Sequence, residues 1–116
     1  MPPESALYLF EMLEAARLAV KFAAGRSIYA IDRNDPDLYA IFWNLTIIGE
    51  ALTQLRKSDP GTAAQISESR QIIAFRNRIV HEYRQIDLDI SSTILQEKLP
   101  RLIDELTALL DKTDGA

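Results

Sequence analysis

Apolar residues recur along most of this chain at spacings of three and four, the interval that puts them on one face of an α-helix. Leu9, Leu13, Ala16, Val20 and Ala23 form the first such stripe, with Glu4, Glu11, Glu14 and Arg17 on the wet side. The pattern predicts a helix over 5–24. Gly25 is a natural stop, since glycine adopts the left-handed conformation that closes a helix. Residues 26–34 mix apolar and charged positions and read as a connection with one helical turn. Asp35-Pro36 is a start signal: aspartate caps exposed amides, and proline suits the first helical position. The helix that follows is expected over 36–57. Leu38, Ile41, Leu45, Ile48, Leu52 and Leu55 form its packing seam, while Tyr39, Trp43 and Ile47 lie on a different side. A helix apolar on two sides needs cover on both. Either a partner covers the Trp43 side, or Trp43 packs on the neighbouring connection.

Gly49 lies within this seam, where the absence of a side chain lets another helix approach closely at a propensity cost of about 1 kcal/mol. Asp59-Pro60-Gly61 breaks the chain, and 62–67 is expected to add a short extra turn of helix. The next helix starts near Ser67 or Ser69 and carries Ile72, Phe75, Ile79 and Tyr83 on one stripe. After a linker over 85–89 with Asp87 and Asp89 as candidate caps, the last helix is expected over 90–112. Leu95, Leu99, Leu102, Leu106 and Leu109 face the core, and Pro100 should kink or divide it. The tail from Thr113 to Ala116 should fray. The predicted fold is all-α: an up-and-down bundle of four main helices with a short extra helix, in a single domain over 1–116.

Composition narrows the function classes. Hydrophobic residues make up 47% of the 116, with only 4 Gly, which favours a packed core over disorder. No cysteine is present, which excludes thiolate catalysis and cysteine-held metals, and a single histidine makes a histidine-based zinc site improbable. No apolar run approaches the ~20 residues of a membrane span, and Met1-Pro2-Pro3-Glu4-Ser5 lacks the basic and apolar regions of a signal peptide. No membrane association and a cytoplasmic location are expected. The net charge of −4 counts against nucleic-acid binding. Yet Arg70, Arg76, Arg78 and Arg84 lie within the seventeen residues 68–84, whose only acids are Glu68 and Glu82. That cluster suits a positive cleft, or equally a docking site for an acidic partner.

The chemistry concentrates in Ile72-Ile73-Ala74-Phe75-Arg76-Asn77-Arg78-Ile79-Val80-His81-Glu82-Tyr83-Arg84, which holds the only histidine. An arginine grips a phosphate with two parallel hydrogen bonds, a histidine trades protons near neutrality, and a tyrosine supplies a phenol. On a continuous helix Arg76 and His81 point roughly 140° apart. Asn77 and His81, four apart, share a side and are placed to hydrogen-bond. One straight helix cannot aim Arg76 and His81 at the same phosphate. Either the helix breaks near Val80, or the groups converge across an interface between two copies, in a composite cleft. Tyr83 and Arg76 differ by only about 20°, two turns apart, so an adduct on the phenol would fold back toward the guanidinium. The plain alternatives are a solvated surface histidine, an arginine whose stem packs while its head stays wet, and a tyrosine anchoring the apolar stripe. Glu50, at the margin of the seam helix, either pairs with a motif arginine or is solvated.

At these residues the chain resembles a known family. Arg76-Asn77-x-x-x-His81-x-Tyr83 is similar to the R-x4-H-x-Y signature of the HEPN superfamily, in its small HepT branch. Ile48-Gly49-Glu50-Ala51, Val80-His81-Glu82-Tyr83 and Leu99-Pro100-x-Leu102 resemble further segments of that branch. Its members often carry a tryptophan several residues before the arginine; here that region reads Ser69-Arg70-Gln71-Ile72. The resemblance implies a metal-independent endoribonuclease acting as toxin of a type VII-like HEPN/MNT toxin–antitoxin system, with RNA as substrate. Arg76 and His81 would be catalytic, with Asn77, Tyr83 and Glu50 in support and neither metal nor cofactor. It also implies a homodimer and a partner, a minimal nucleotidyltransferase antitoxin that transfers AMP to Tyr83. The competing expectation is a non-catalytic helical subunit that binds and positions the nucleotidyltransferase.

Overall fold

Helix α1 (Pro3–Ala23) buries Leu9, Met12, Leu13, Ala15, Ala16 and Ala19 against α2 (Pro36–Ser58) in the computed structural model, which describes residues 1–114. The small alanines let α2 come close, and dispersion contacts grow with that closeness. Val20, expected on the buried stripe, is exposed instead. Past α1, Ala24 and Gly25 take left-handed backbone conformations (φ 52° and 75°), and Ile28–Ala30 form the one turn expected in the connection.

Arg26 fastens the two long helices at this end. Its guanidinium donates to the carbonyls of Phe22 (2.7 Å) and Ala23 (3.0 Å), which α1 leaves without helical partners. It also pairs with Asp35 (3.3 Å) and Asp37 (2.9 Å) at the start of α2. Asp35 is the N-cap, its carboxylate accepting from the Asp37 amide at 2.8 Å, ahead of Pro36. The predicted α2 seam is buried throughout, from Leu38 to Leu55.

Asp59 closes α2 and opens the short α3 (Pro60–Ala63), which lies earlier than the expected 62–67 because Pro60 takes the first helical position. The Asp59 carboxylate accepts from the Ser5 hydroxyl (2.7 Å), the Thr62 hydroxyl (2.7 Å) and the Thr62 amide (3.2 Å). These bonds, those of Thr62 first, hold it below the ordinary range of an aspartate. Glu68 then adopts a left-handed conformation (φ 60°) just before α4 (Ser69–Glu82). Its carboxylate is held by Lys98 at 2.6 Å and Arg101 at 3.4 Å.

The last rod comprises α5 (Leu88–Thr93), a wide π turn over Ile94–Lys98, and α6 (Leu99–Asp114). Pro100 has no N–H to give the Gln96 carbonyl and its ring crowds that oxygen; the turn before it widens and the rod continues. Leu95, Leu99, Leu102, Leu106 and Leu109 are buried as expected. Helix continues to Asp114 where fraying was expected from Thr113; Gly115 and Ala116, the rest of that tail, lie outside the described residues. The result is the all-α bundle of four main helices, with α2 between α1 and α4, and α6 packed on α1. No strand occurs among the described residues, and no helix is long and apolar enough to cross a membrane.

Candidate active site

α4 has a narrow apolar face: only Ile72, Phe75 and Ile79 are buried, and apart from Ile73, Ala74 and Val80 the rest of its surface carries polar and charged groups. It runs without interruption from Ser69 to Glu82, so of the two alternatives the break near Val80 does not occur. Arg76 and His81 therefore diverge by roughly 140° on one rigid element. The chain turns away only at Glu82 (φ −137°, ψ 41°), and Tyr83–Gln85 form a separate 3₁₀ turn.

Arg76 is the most constrained side chain of the motif. Its stem lies across Gly49 of α2: a Cβ at that glycine would fall 2.3 Å from the Arg76 Cβ and 2.6 Å from its Cγ. This is the close approach read from the sequence. The head is held on both prongs. Nη2 donates to Glu50 Oε2 at 2.6 Å, and Nη1 to Asn77 Oδ1 at 2.9 Å. Nε is buried without a hydrogen-bond partner among the described residues. The side chain keeps 25% of its surface exposed and Glu50 keeps 49%. An ion pair so open to water contributes only about 0–1 kcal/mol, so its main consequence is to fix where the guanidinium points. Glu50 thus pairs with the motif arginine, one of the two expectations for it. Asn77, in turn, serves Arg76 rather than the expected His81.

His81 is exposed and makes no hydrogen bond among the described residues. It opens on a groove of about 440 Å³ walled by Val80, Glu82, Tyr83, Arg84 and Gln85. Arg76 lines a different groove of about 370 Å³, with Tyr8, Glu11, Trp43, Ile47 and Glu50. The two grooves have no lining residue in common. A single chain brings Arg76, Asn77 and Glu50 together, and His81 with Tyr83, but does not join the two sets.

Tyr83 departs from the continuous-helix reading of its position. The turn at Glu82 places it in a separate 3₁₀ turn, so the geometry expected of a continuous helix is not the one found, while Phe42, which packs on Phe75 at 6.4 Å, still links it to the apolar stripe. Its ring instead stacks on Tyr39 (centroids 5.8 Å apart, planes 20° apart) and meets the Phe42 edge at 5.9 Å. Burial, then the neighbouring Tyr39, pushes the Tyr83 phenol above its ordinary pKa, with Arg33 opposing. Beside the tyrosine pair lies a groove of about 350 Å³ with Arg33 and Arg84 at its rim. Arg33 sits in the connection and carries no local pattern that marks it from sequence.

Trp43 does not pack on the connection: 66% of its surface is exposed, on the same flank of α2 as Tyr39. With Val80 of α4 also exposed, apolar groups border both the Arg76 and the His81 grooves. Among the described residues no group of three or more His, Cys, Asp or Glu side chains is arranged to hold a metal ion.

Comparison with known proteins places the chain. The model of one family, described as Ribonuclease HepT-like, matches residues 12–109, a span that contains Glu50, Arg76, Asn77, His81 and Tyr83. Neither the curated proteins nor the solved structures yielded a match. Since the family model covers most of the chain, this protein belongs to the HepT-like ribonuclease family.

Proposed function

We propose that this protein is a metal-independent endoribonuclease, the toxin of a type VII-like HEPN/MNT toxin–antitoxin pair, acting in the cytoplasm as a homodimer of single HEPN-like domains (1–116). The observation that carries this reading is the unbroken α4, which presents Arg76 and His81 on diverging faces beside an exposed aromatic flank. Two copies related by a two-fold axis bring the Arg76 set of one against the His81 set of the other, and the Trp43 flank is the apolar surface that such an axis would bury.

In that composite cleft the ribose 2′-oxygen attacks the adjacent phosphorus and the bond to the 5′-oxygen breaks, leaving a 2′,3′-cyclic phosphate and a 5′-hydroxyl. His81 accepts the 2′-hydroxyl proton or protonates the departing 5′-oxygen. Arg76, aimed by Glu50 and Asn77, binds the non-bridging oxygens and stabilises the charge that grows on them. Tyr83 lines the cleft. Regulation follows from the same surface: a minimal nucleotidyltransferase antitoxin transfers AMP from ATP to the Tyr83 hydroxyl with release of pyrophosphate, and the adduct adds bulk and negative charge where RNA must lie.

A non-catalytic subunit that positions the nucleotidyltransferase is the second reading, and one feature favours it: both prongs of Arg76 are already occupied within the chain. Cleavage assays with purified protein separate the two. The ribonuclease reading predicts RNA cleavage that persists in EDTA and falls at least ~100-fold in His81→Ala and in Arg76→Ala, with helical content unchanged. Full activity in His81→Ala contradicts the assignment, and loss in EDTA contradicts the metal-free mechanism.

A further inference from the structure

The groove beside Tyr83 carries a binding function that the phosphate chemistry leaves unassigned. Its wall is the stacked Tyr39–Tyr83 pair and its floor includes the edge-on Phe42. Tyr39 is 49% exposed and Tyr83 36%, so both rings stay open to an incoming planar group. Arg33, Arg84 and Asn34 line the rim, which places cations and an amide around an aromatic and aliphatic interior. At about 350 Å³ the space is at the lower end for a small organic ligand.

The charges around this groove are sorted. The Asp32 carboxylate accepts from the Asn34 amide at 2.8 Å. Asp35 and Asp37 are engaged by Arg26, and Asp89 by the Tyr29 hydroxyl. Arg33 and Arg84, by contrast, have no ion-pair partner among the described residues. The groove lining itself holds two guanidiniums and no carboxylate, so an anion arriving here meets Arg33 and Arg84 directly, while Asp32, Glu82, Asp87 and Asp89 keep their charge outside it. The groove is also contiguous with that of His81, because Tyr83 and Arg84 line both.

Taken together, these features fit an unstacked nucleobase with its phosphate. Single-stranded RNA is recognised by bases splayed onto aromatic rings and guanidinium planes. We propose that the Tyr39–Tyr83 groove is a base-binding subsite for the RNA nucleotide adjoining the phosphate at His81. Arg33 holds that nucleotide's own phosphate. This rests on the ribonuclease reading for its ligand and extends it to a specificity site. It also locates the adenine of a Tyr83 adduct: the base of the adduct occupies the subsite that the substrate base needs.

The test uses the full-length protein and a hexaribonucleotide 2′-O-methylated throughout, which lacks the attacking hydroxyl and cannot be cleaved, beside an abasic phosphodiester of equal length and charge. Wild type should bind the base-containing oligomer at least ~10-fold more tightly than the abasic one. Tyr39→Ala should weaken that binding by about 10–100-fold, the loss of one stacked base, while abasic binding stays unchanged. Tyr39→Phe, which keeps the ring, should restore most of it, and Arg33→Ala should lower the salt dependence by about one unit of slope. Tyr39 lies outside the core, so circular dichroism should show both variants folded. Equal binding of the two oligomers by wild type, or undiminished binding by folded Tyr39→Ala, overturns the subsite. So does loss of antitoxin binding in Tyr39→Ala at unchanged oligomer affinity, which would assign the groove to a protein. Cleavage of unmodified RNA by the same wild-type sample is read separately. Base-dependent binding without cleavage contradicts the ribonuclease reading and leaves the subsite standing; cleavage without base preference does the reverse.

Discussion

At the scale of single residues, the motif divides into a fixed part and a free part. Arg76 has its stem seated on Gly49 and both prongs held, whereas His81 projects from the same helix with no partner among the described residues. Under the proposed mechanism, a fixed Arg76 to bind phosphate and a free His81 to move protons suit a site whose second half arrives from elsewhere. Tyr83 has its own environment, and this sets its prediction. The ring is held by Tyr39 and Phe42 through its faces and edges, so Tyr83→Phe should fold normally and keep much of the cleavage activity. It should escape neutralisation by the nucleotidyltransferase, and mass spectrometry of the co-expressed wild type should show AMP on Tyr83. An unmodified Tyr83 in a fully neutralised complex contradicts that route and leaves occlusion. The types and spacing of Arg76, Asn77, His81 and Tyr83 were legible in the sequence because they sit within one turn or two of each other. The direction of Tyr83 was not. No glycine or proline marks the end of α4; it ends where Tyr83 reaches aromatic partners more than forty residues away in sequence.

At the scale of elements, the contact between α2 and α4 decides where the site stands. Gly49→Ala tests it sharply, because two effects oppose each other. Helix propensity alone favours alanine by about 1 kcal/mol, but the new methyl would meet the Arg76 Cβ and Cγ well inside contact distance, and overpacking typically costs 1–3 kcal/mol. The stem of Arg76 begins at the clash and has no flexible end to move, so the overpacking term should win: Tm should fall by several degrees, and RNA cleavage should fall with it as Arg76 is displaced. A raised Tm contradicts the packing described for this pair. Asp59 sets the other end of α2. Because the folded chain holds its carboxylate below the ordinary range, its stabilisation is present above that range and is lost as pH falls through the lower folded value. Urea midpoints followed from neutral pH to about pH 3 should fall in the wild type and fall less in Asp59→Asn, which cannot titrate. Helix existence and most boundaries were legible from periodicity, Asp35-Pro36 and Asp59-Pro60. The widened turn before Pro100 was not, since a proline specifies an interruption but not whether the helix kinks, stops or adds a residue to the turn.

At the scale of the whole molecule, the bundle is elongated, 44 × 26 × 19 Å, and the Arg76 and His81 grooves are two separate open surfaces rather than one enclosed cleft. An exposed indole at 66%, with Val80 also exposed, is costly on a free surface and ordinary in a protein interface. The sequence signalled this through the second apolar side of α2, but symmetry leaves no trace in a single chain's periodicity, so the arrangement of two copies is argued from the divergence of Arg76 and His81. That divergence makes the central claim testable by mixing. Arg76→Ala and His81→Ala proteins, each inactive alone, are combined, unfolded and refolded together to exchange subunits. In a composite site, each mixed dimer regains one cleft with Arg76 from one protomer and His81 from its partner. An equal mixture should therefore recover about a quarter of wild-type RNA cleavage. Cleavage no greater than the sum of the two separate variants, in a sample shown by light scattering to be dimeric, would contradict it.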